Sequence, residues 1–260
     1  MSGRDDRDDN DSGSGWREPE HLGEGAGSEP AGPSSWQPAG WDLPPAVPDR
    51  APRPDDGPPA RDQLQRAFSV ETDLVGAQGW ALQHGWTISD GEGPQDAPLR
   101  DLVASAPVRP GKEARPASVL RGRAGTLELV AFDVVYPLGR SVVAKYAVTA
   151  APLLGAVPGL RLSPARLWRH RTGGLVPVPS GNEAFDARWL LLAAEDGPQV
   201  RRLVQDPAVQ GLLLGTDDGD EFWTGAGHLA AIRPDGHRPL LIEHHVRLLT
   251  ALVAALGSGY

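Results

Sequence analysis

The sequence predicts an α+β fold: a mainly antiparallel sheet with packed helices, a C-terminal amphipathic helix and a long disordered N-terminal tail. Three observations carry this. Ala117–Ala150 reads as consecutive strands joined by tight turns. Ala187–Ala194, ARWLLLAA, is a short continuous apolar run of strand length. The chain closes on a long apolar stripe at helical spacing, and no regular alternation of strands and helices demands a parallel sheet.

The tail comes first. Of the first 60 residues, 20 are Gly or Pro, and 5 Arg stand against 13 Asp and Glu, a balance of −8. The whole chain carries −9, so the acidity belongs to the tail. Such a composition cannot bury enough apolar surface to offset its conformational entropy, which predicts disorder over 1–62. Trp16, Trp36 and Trp41 interrupt it. Chance aromatic content in a linker explains them; the sharper reading makes Trp36 and Trp41 docking anchors for a protein partner.

A single α+β globular domain is expected over 63–257. The pattern predicts a helix over Gln63–Gly79 with Asp62 as its N-cap. Trp80 and Trp86 follow as core or rim aromatics. DGEGPQDAP at 90–98 reads as a loop, Leu99–Val108 as a short helix, and 109–116 as a second loop.

The central strands are Val119–Arg123, Thr126–Tyr136 and Val142–Ala150, turning near Ala124-Gly125 and over Pro137–Ser141. Pairing Tyr136 with Val142 sets Val134 against Ala144, Phe132 against Tyr146 and Val130 against Val148 on one apolar face. The same register pairs Asp133 with Lys145, so these two are expected to be a structural ion pair rather than an acid–base couple. Leu127 and Leu129 fall in the opposite phase from Phe132, which requires a bulge near Leu129-Val130 or cover on both faces.

A strand is expected near Leu160–Leu162, a short helix from Ser163-Pro164 to Arg169, an exposed loop over Thr172–Asn182, and a doubly buried strand over Ala187–Ala194, with helix as the alternative there. Pro198–Val204 and Pro207–Leu214 each place Pro in a first turn behind an acidic residue. Glu221–Thr224 and His228–Arg233 form a hairpin across Gly225–Gly227. The last helix runs from Pro239 to Leu256 with Ile242, Val246, Leu249, Val253 and Leu256 on one stripe, widened by Leu241, Leu248 and Leu252.

Several function classes lack support. There is no cysteine, hence no disulfide, thiolate nucleophile or Cys metal site. No basic excess exists to neutralise phosphates, so nucleic acid is not an expected partner. The N-terminus lacks the apolar segment of a signal peptide and no run reaches bilayer length, so a cytoplasmic protein without membrane contact is expected. No Walker loop, strand-to-helix GxGxxG or GxSxG elbow occurs, and no cofactor or metal is expected. His244 and His245 diverge by about 100° on a helix and cannot share one metal; a partly buried His245 with a carboxylate or backbone partner is the expected arrangement. Arg121, Arg123, Arg166, Arg169 and Arg171 read as a solvated surface, with an anion-binding face as the alternative.

The order WALQHGW, VLRGRAGTLELVAFDVVY, YAVTA, FDARWLLLAAEDGPQVRRLV and a terminal amphipathic helix resembles a family of uncharacterised actinobacterial proteins, over about residues 65–256. The resemblance implies the fold and an actinobacterial source; the family supplies no activity to carry over. The expected function is a non-catalytic interaction or regulatory module of a soluble bacterial protein. The alternative is an enzyme or small-ligand-binding domain with a site near the 221–238 hairpin, at His228, Arg233 and His237.

Overall fold

The computed structural model describes residues 72–165 and 172–257. These form a nine-stranded, wholly antiparallel sheet with six helices. In chain order the elements are α1 (Leu74–Gln83), β1 (Thr87–Ser89), α2 (Ala97–Ala104), β2 (Arg115–Ala124), β3 (Leu127–Leu138), β4 (Ser141–Pro152), β5 (Leu160–Pro164), β6 (Val176–Pro177), α3 (Glu183–Asp186), β7 (Trp189–Ala193), α4 (Pro198–Gln205), α5 (Pro207–Leu214), β8 (Glu221–Gly225), β9 (His228–Pro234) and α6 (Pro239–Gly257). The strand order is β1-β2-β3-β4-β9-β8-β5-β7-β6. The α+β class and the terminal helix are thus as expected.

The first described helix begins later than the pattern suggests. Asp73 caps it, accepting from the Gly76 amide at 2.8 Å, and the expected cap Asp62 lies outside the described residues. Residues 63–71 lie outside the described residues, as do the tail with Trp16, Trp36 and Trp41, and Arg166, Arg169 and Arg171. Ser163-Pro164 continues β5 instead of opening a helix. Gly197, without a side-chain cap, precedes α4, whereas Asp206 caps α5 through the Ala208 and Val209 amides.

Both faces of the sheet are covered, and this resolves the phase conflict in β3. Leu129 and Ala131 join a core under α1, α4, α5 and α6, while Val130, Phe132 and Val134 join a second core with Leu99, Leu102 and Val103 of α2. No bulge is needed at Leu129. The bulges fall elsewhere, between Ala117 and Leu120 on β2 and near Val134-Val135 on the β3–β4 pair.

The β3–β4 register corrects the expectation. Phe132 faces Val148, Val134 faces Tyr146, and Asp133 faces Ala147. Over Val130–Val134 the slip is two residues, which leaves those side chains on their faces; beyond the bulge it is one, so Tyr136 faces Val143. Its cause is the turn: Leu138 pairs with Ser141 across a two-residue loop whose first residue, Gly139, has φ +62°. Lys145 then lies between the partners of Val134 and Val135 as the extra residue of the bulge. It is exposed, 5.2 Å above the Tyr136 ring centroid, and is not the partner of Asp133.

Helix α6 is long and apolar enough to cross a membrane by length and composition, yet half of it is buried in this fold. Its buried line passes through Leu241, Ile242, His245, Leu248, Leu249, Leu252 and Leu256. Val246 and Val253 lie at its margin, only partly buried.

Candidate functional site

Strand alternation and register build a polar row beneath α6. Asp133 of β3 faces Ala147 of β4, and Ala147 faces Arg233 of β9. Glu221 pairs with Ile232, so one further step of that register sets Asp220 opposite Arg233. The adjacent row is Ala131, Thr149, Ala231 and Phe222. Asp133, Thr149, Arg233 and Asp220 therefore point to one face, and the small Ala147 leaves space between the charges. Gly219 lets the guanidinium approach, since a Cβ there would stand 2.5 Å from it.

The turn after β9 adds His237. Its backbone N–H and its Nδ1 both reach Asp133 Oδ1, at 2.9 and 2.8 Å. Asp73 N–H donates to the His237 carbonyl at 3.1 Å, and Gly236 N–H to Thr72 Oγ1 at 3.0 Å, which fixes the turn. Helix α6 adds the two adjacent histidines. Their Cα–Cβ directions diverge, but both rings reach the same carboxylate through different oxygens. His244 Nε2 lies 3.0 Å from Asp220 Oδ2, and His245 Nε2 3.1 Å from Oδ1. Arg233 donates to Asp220 Oδ1 at 3.1 Å and also to Asp217. Thr149 Oγ1 closes the network, 3.2 Å from His237 Nε2 and 3.0 Å from His245 Nδ1.

The groups are sealed, with Asp220, Thr149 and His245 wholly buried and His237 nearly so. Burial works against an ionised Asp220, but hydrogen bonds from His244 and His245 and the charge of Arg233 outweigh it and hold the carboxyl well below the usual range. Burial pushes the His245 imidazole down to about 4, against the pull of Asp220 and with the help of His244 and His237. Burial also opposes the Arg233 charge; Asp217 and Asp220 prevail and keep it cationic.

These states assign the protons. An ionised Asp220 only accepts, so neutral His245 carries its proton on Nε2 and accepts at Nδ1 from the Thr149 hydroxyl. That hydroxyl has one proton, so the contact with His237 is made by His237 Nε2–H donating to Thr149 Oγ1. His237 thus meets Thr149 with Nε2 and Asp133 with Nδ1.

Arg233 and His237 thus enter one network with carboxylates, as a site would. His228 does not: it stands in the opposite strand phase from Arg233, and its Nδ1 meets the Ala226 carbonyl at 2.7 Å. It lines a cleft of about 460 Å³ with Gln95, Pro98, Arg121, Arg123 and Glu128. The cations there are matched, Arg121 to Asp96 at 2.6 Å and Arg123 to Glu128 at 2.6 Å. A second cleft of about 410 Å³ is lined by Leu127, Pro152, Leu153, Leu154, Val157, Val253 and Leu256, with Gln199 as its polar side chain. None of Asp133, Thr149, Asp220, His237, His244 or His245 lines either cleft. Among the described residues, no group of His, Asp and Glu has the arrangement of a metal site.

Sequence reasoning passed over Asp220, Thr149 and the burial of His244. The available signal was a polar residue in an inward strand phase, which Thr149 shows between Val148 and Ala150.

No known family profile and no curated protein matches the sequence. Among solved structures, the chain is similar to the mycobacterial trehalose monomycolate transport factor A, TtfA. The identity is 14% and the TM-score 0.51, over 71% of this chain and 94% of that one. At this identity the likeness concerns the fold.

Proposed function

We propose that the chain is a non-catalytic accessory module that holds an apolar group of a ligand or partner between the loop after β4 and the C-terminal end of α6. The observation that supports it is the separation of chemistry from access. The acid–base groups are spent on one another beneath α6, whereas the apolar cleft is open, and Leu154 on its wall is fully exposed. Its volume lies within the usual range of ligand sites, roughly 300–1,000 Å³. A fold shared with a protein named for trehalose monomycolate transport suits an accessory part, and an acyl chain is the kind of group such a lining accepts. A fluorescent fatty-acid probe tests this. Saturable binding should weaken roughly tenfold or more in Leu154→Asp, with melting unchanged because the residue is exposed. Equal binding by that variant sinks the cleft.

The acidic segment 1–62 is a second proposed contact, with Trp36 and Trp41 as anchors for a protein partner. Affinity capture with the full chain and with a chain starting near Asp62 checks it. Identical partner lists would remove the tail from the reading.

A further inference from the structure

The β3–β4 hairpin outruns its neighbours. Pairing of β2 with β3 ends at Arg115 and Val135, and pairing of β4 with β9 ends at Tyr146 and Pro234. Beyond these, Tyr136–Ala144 is a two-stranded ribbon paired only to itself. Three strand steps carry it about 10 Å past the sheet.

Its composition is unusual for an exposed ribbon. Leu138, Val142 and Val143 are among the most exposed large apolar residues described. The register sets Tyr136, Leu138 and Val143 on one face, and Pro137 and Val142 on the other. A ribbon apolar on both faces is suited to being surrounded, not to lying on a flat surface. Its edges are poor templates for an added strand: Pro137 removes a donor from one, and the bulge at Lys145 breaks the other. What remains on offer is side chains. Residues 136–145 carry Arg140 and Lys145 and no acid, in a chain of net charge −9. Asp235 stands at the base, where its N–H meets the Lys145 carbonyl at 2.9 Å.

We infer that this ribbon is a membrane-surface wedge: Leu138, Val142 and Val143 enter the boundary between headgroups and acyl chains, and Arg140 and Lys145 meet anionic headgroups. The reach of the ribbon matches the depth of that boundary, about 5–10 Å. The inference is independent of the apolar cleft, which lies at the other end of β3 and β4.

Sedimentation of the full chain with vesicles tests it, comparing pure phosphatidylcholine with a mixture containing one-third phosphatidylglycerol. The wild type should sediment with the mixed vesicles roughly tenfold more than with the neutral ones. Leu138→Ser with Val143→Ser should lose the binding while keeping its melting temperature, since both positions are exposed. Arg140→Ser with Lys145→Ser should lose the preference for the anionic mixture. Leu154→Asp should bind vesicles as the wild type does, which separates this surface from the cleft. Failure of the wild type to bind either vesicle, whatever protein the ribbon captures instead, overturns the inference. Unchanged binding by the double serine variant at 138 and 143 does the same, and an unchanged preference in the charge variant overturns the anionic assignment.

Discussion

The two faces of the central strands are built from alternate residues of the same chain, yet they are opposite in kind. Toward α2, Val130, Phe132, Val134, Val148, Ala150, Ala230 and Ile232 make an apolar layer. Toward α6, Asp133, Thr149, Arg233 and Asp220 interrupt the apolar set and meet three histidines. An apolar face gains stability from area alone and tolerates small sliding of whatever covers it. The polar face is satisfied only when His244 and His245 both stand over Asp220. Side chains within α6 itself hydrogen-bond into the sheet face and fix its position along the strands, whereas α2 rests on the sheet through apolar side chains and is tied at its ends, by Asp96 to Arg121 and Ser105 to Trp223.

The largest expected effect breaks the polar face at its shared acceptor. Asp220→Ala leaves the nearby donors of Arg233, His244 and His245 short of a buried carboxylate. Breaking a buried charge pair costs about 3–5 kcal/mol, measurable by urea denaturation. A loss below 1 kcal/mol would show that the face is not an energetic lock.

Legibility in the sequence divides along the same line. The apolar face was readable because strand patterning has a period of two, and Val130, Phe132 and Val134 keep it. The same period cannot detect an even slip, so the pattern allows Phe132 to face Tyr146 as readily as Val148, its partner in the structure. The tight turn at Gly139-Arg140 and the bulge at Lys145 decide that register, and neither alters the hydrophobic pattern. The polar face was less readable. Its members come from β3, β4, β9, the turn before β8 and α6, so their convergence is a product of strand order. Asp220 in particular sits beside a DDG turn and looks like part of it. Of the two partners expected for His245, backbone or carboxylate, the structure shows the carboxylate, with the ring wholly rather than partly buried; that His244 shares the same carboxylate follows only from the helix lying directly above Asp220.

Acid should weaken the polar face next. His245 has a folded value of about 4 against 6.5 when unfolded, so between these values the unfolded chain takes up a proton that the native chain refuses. Stability is therefore lost as pH falls from about 7 to about 4, by roughly 3 kcal/mol. Asp220, held below its ordinary value, extends the loss further into acid as unfolded chains protonate there first. The groups facing His245 are Asp220, His237 and His244, with Arg233 beyond Asp220, so replacing His245 by Gln should flatten the upper part of the curve. Denaturant midpoints at several pH values measure it; a flat wild-type profile from pH 7 to 4 contradicts the buried neutral imidazole.

Smaller effects come from exchanging the two faces at one point. Val148 and Thr149 are adjacent, both fully buried, and point to opposite cores. Thr149→Val leaves two ring nitrogens without their shared hydroxyl, at about 1–3 kcal/mol. Val148→Thr puts a hydroxyl among Val130, Phe132 and Ile232 with nothing to receive it, again at about 1–3 kcal/mol. The two side chains enter opposite cores and share no partner, so a departure of the double exchange from the sum by more than about 0.5 kcal/mol measures coupling through the shared backbone. A double variant more stable than either single one would mean that the faces communicate through the backbone.

The smallest effect concerns Lys145, and it separates the observed register from the slipped one. In the slipped pairing Lys145 opposes Asp133, and removing it would strand a buried carboxylate. In the observed pairing Lys145 lies on the bulge over Tyr136, and Asp133 takes its hydrogen bonds from His237. Lys145→Ala should then cost no more than an exposed cation–π contact, about 0.5–1 kcal/mol. Asp133→Ala should cost clearly more, because it removes the acceptor of both the His237 amide and its ring. Equal losses from the two variants, with non-additivity in the double variant, would restore the direct pair and with it the slipped register.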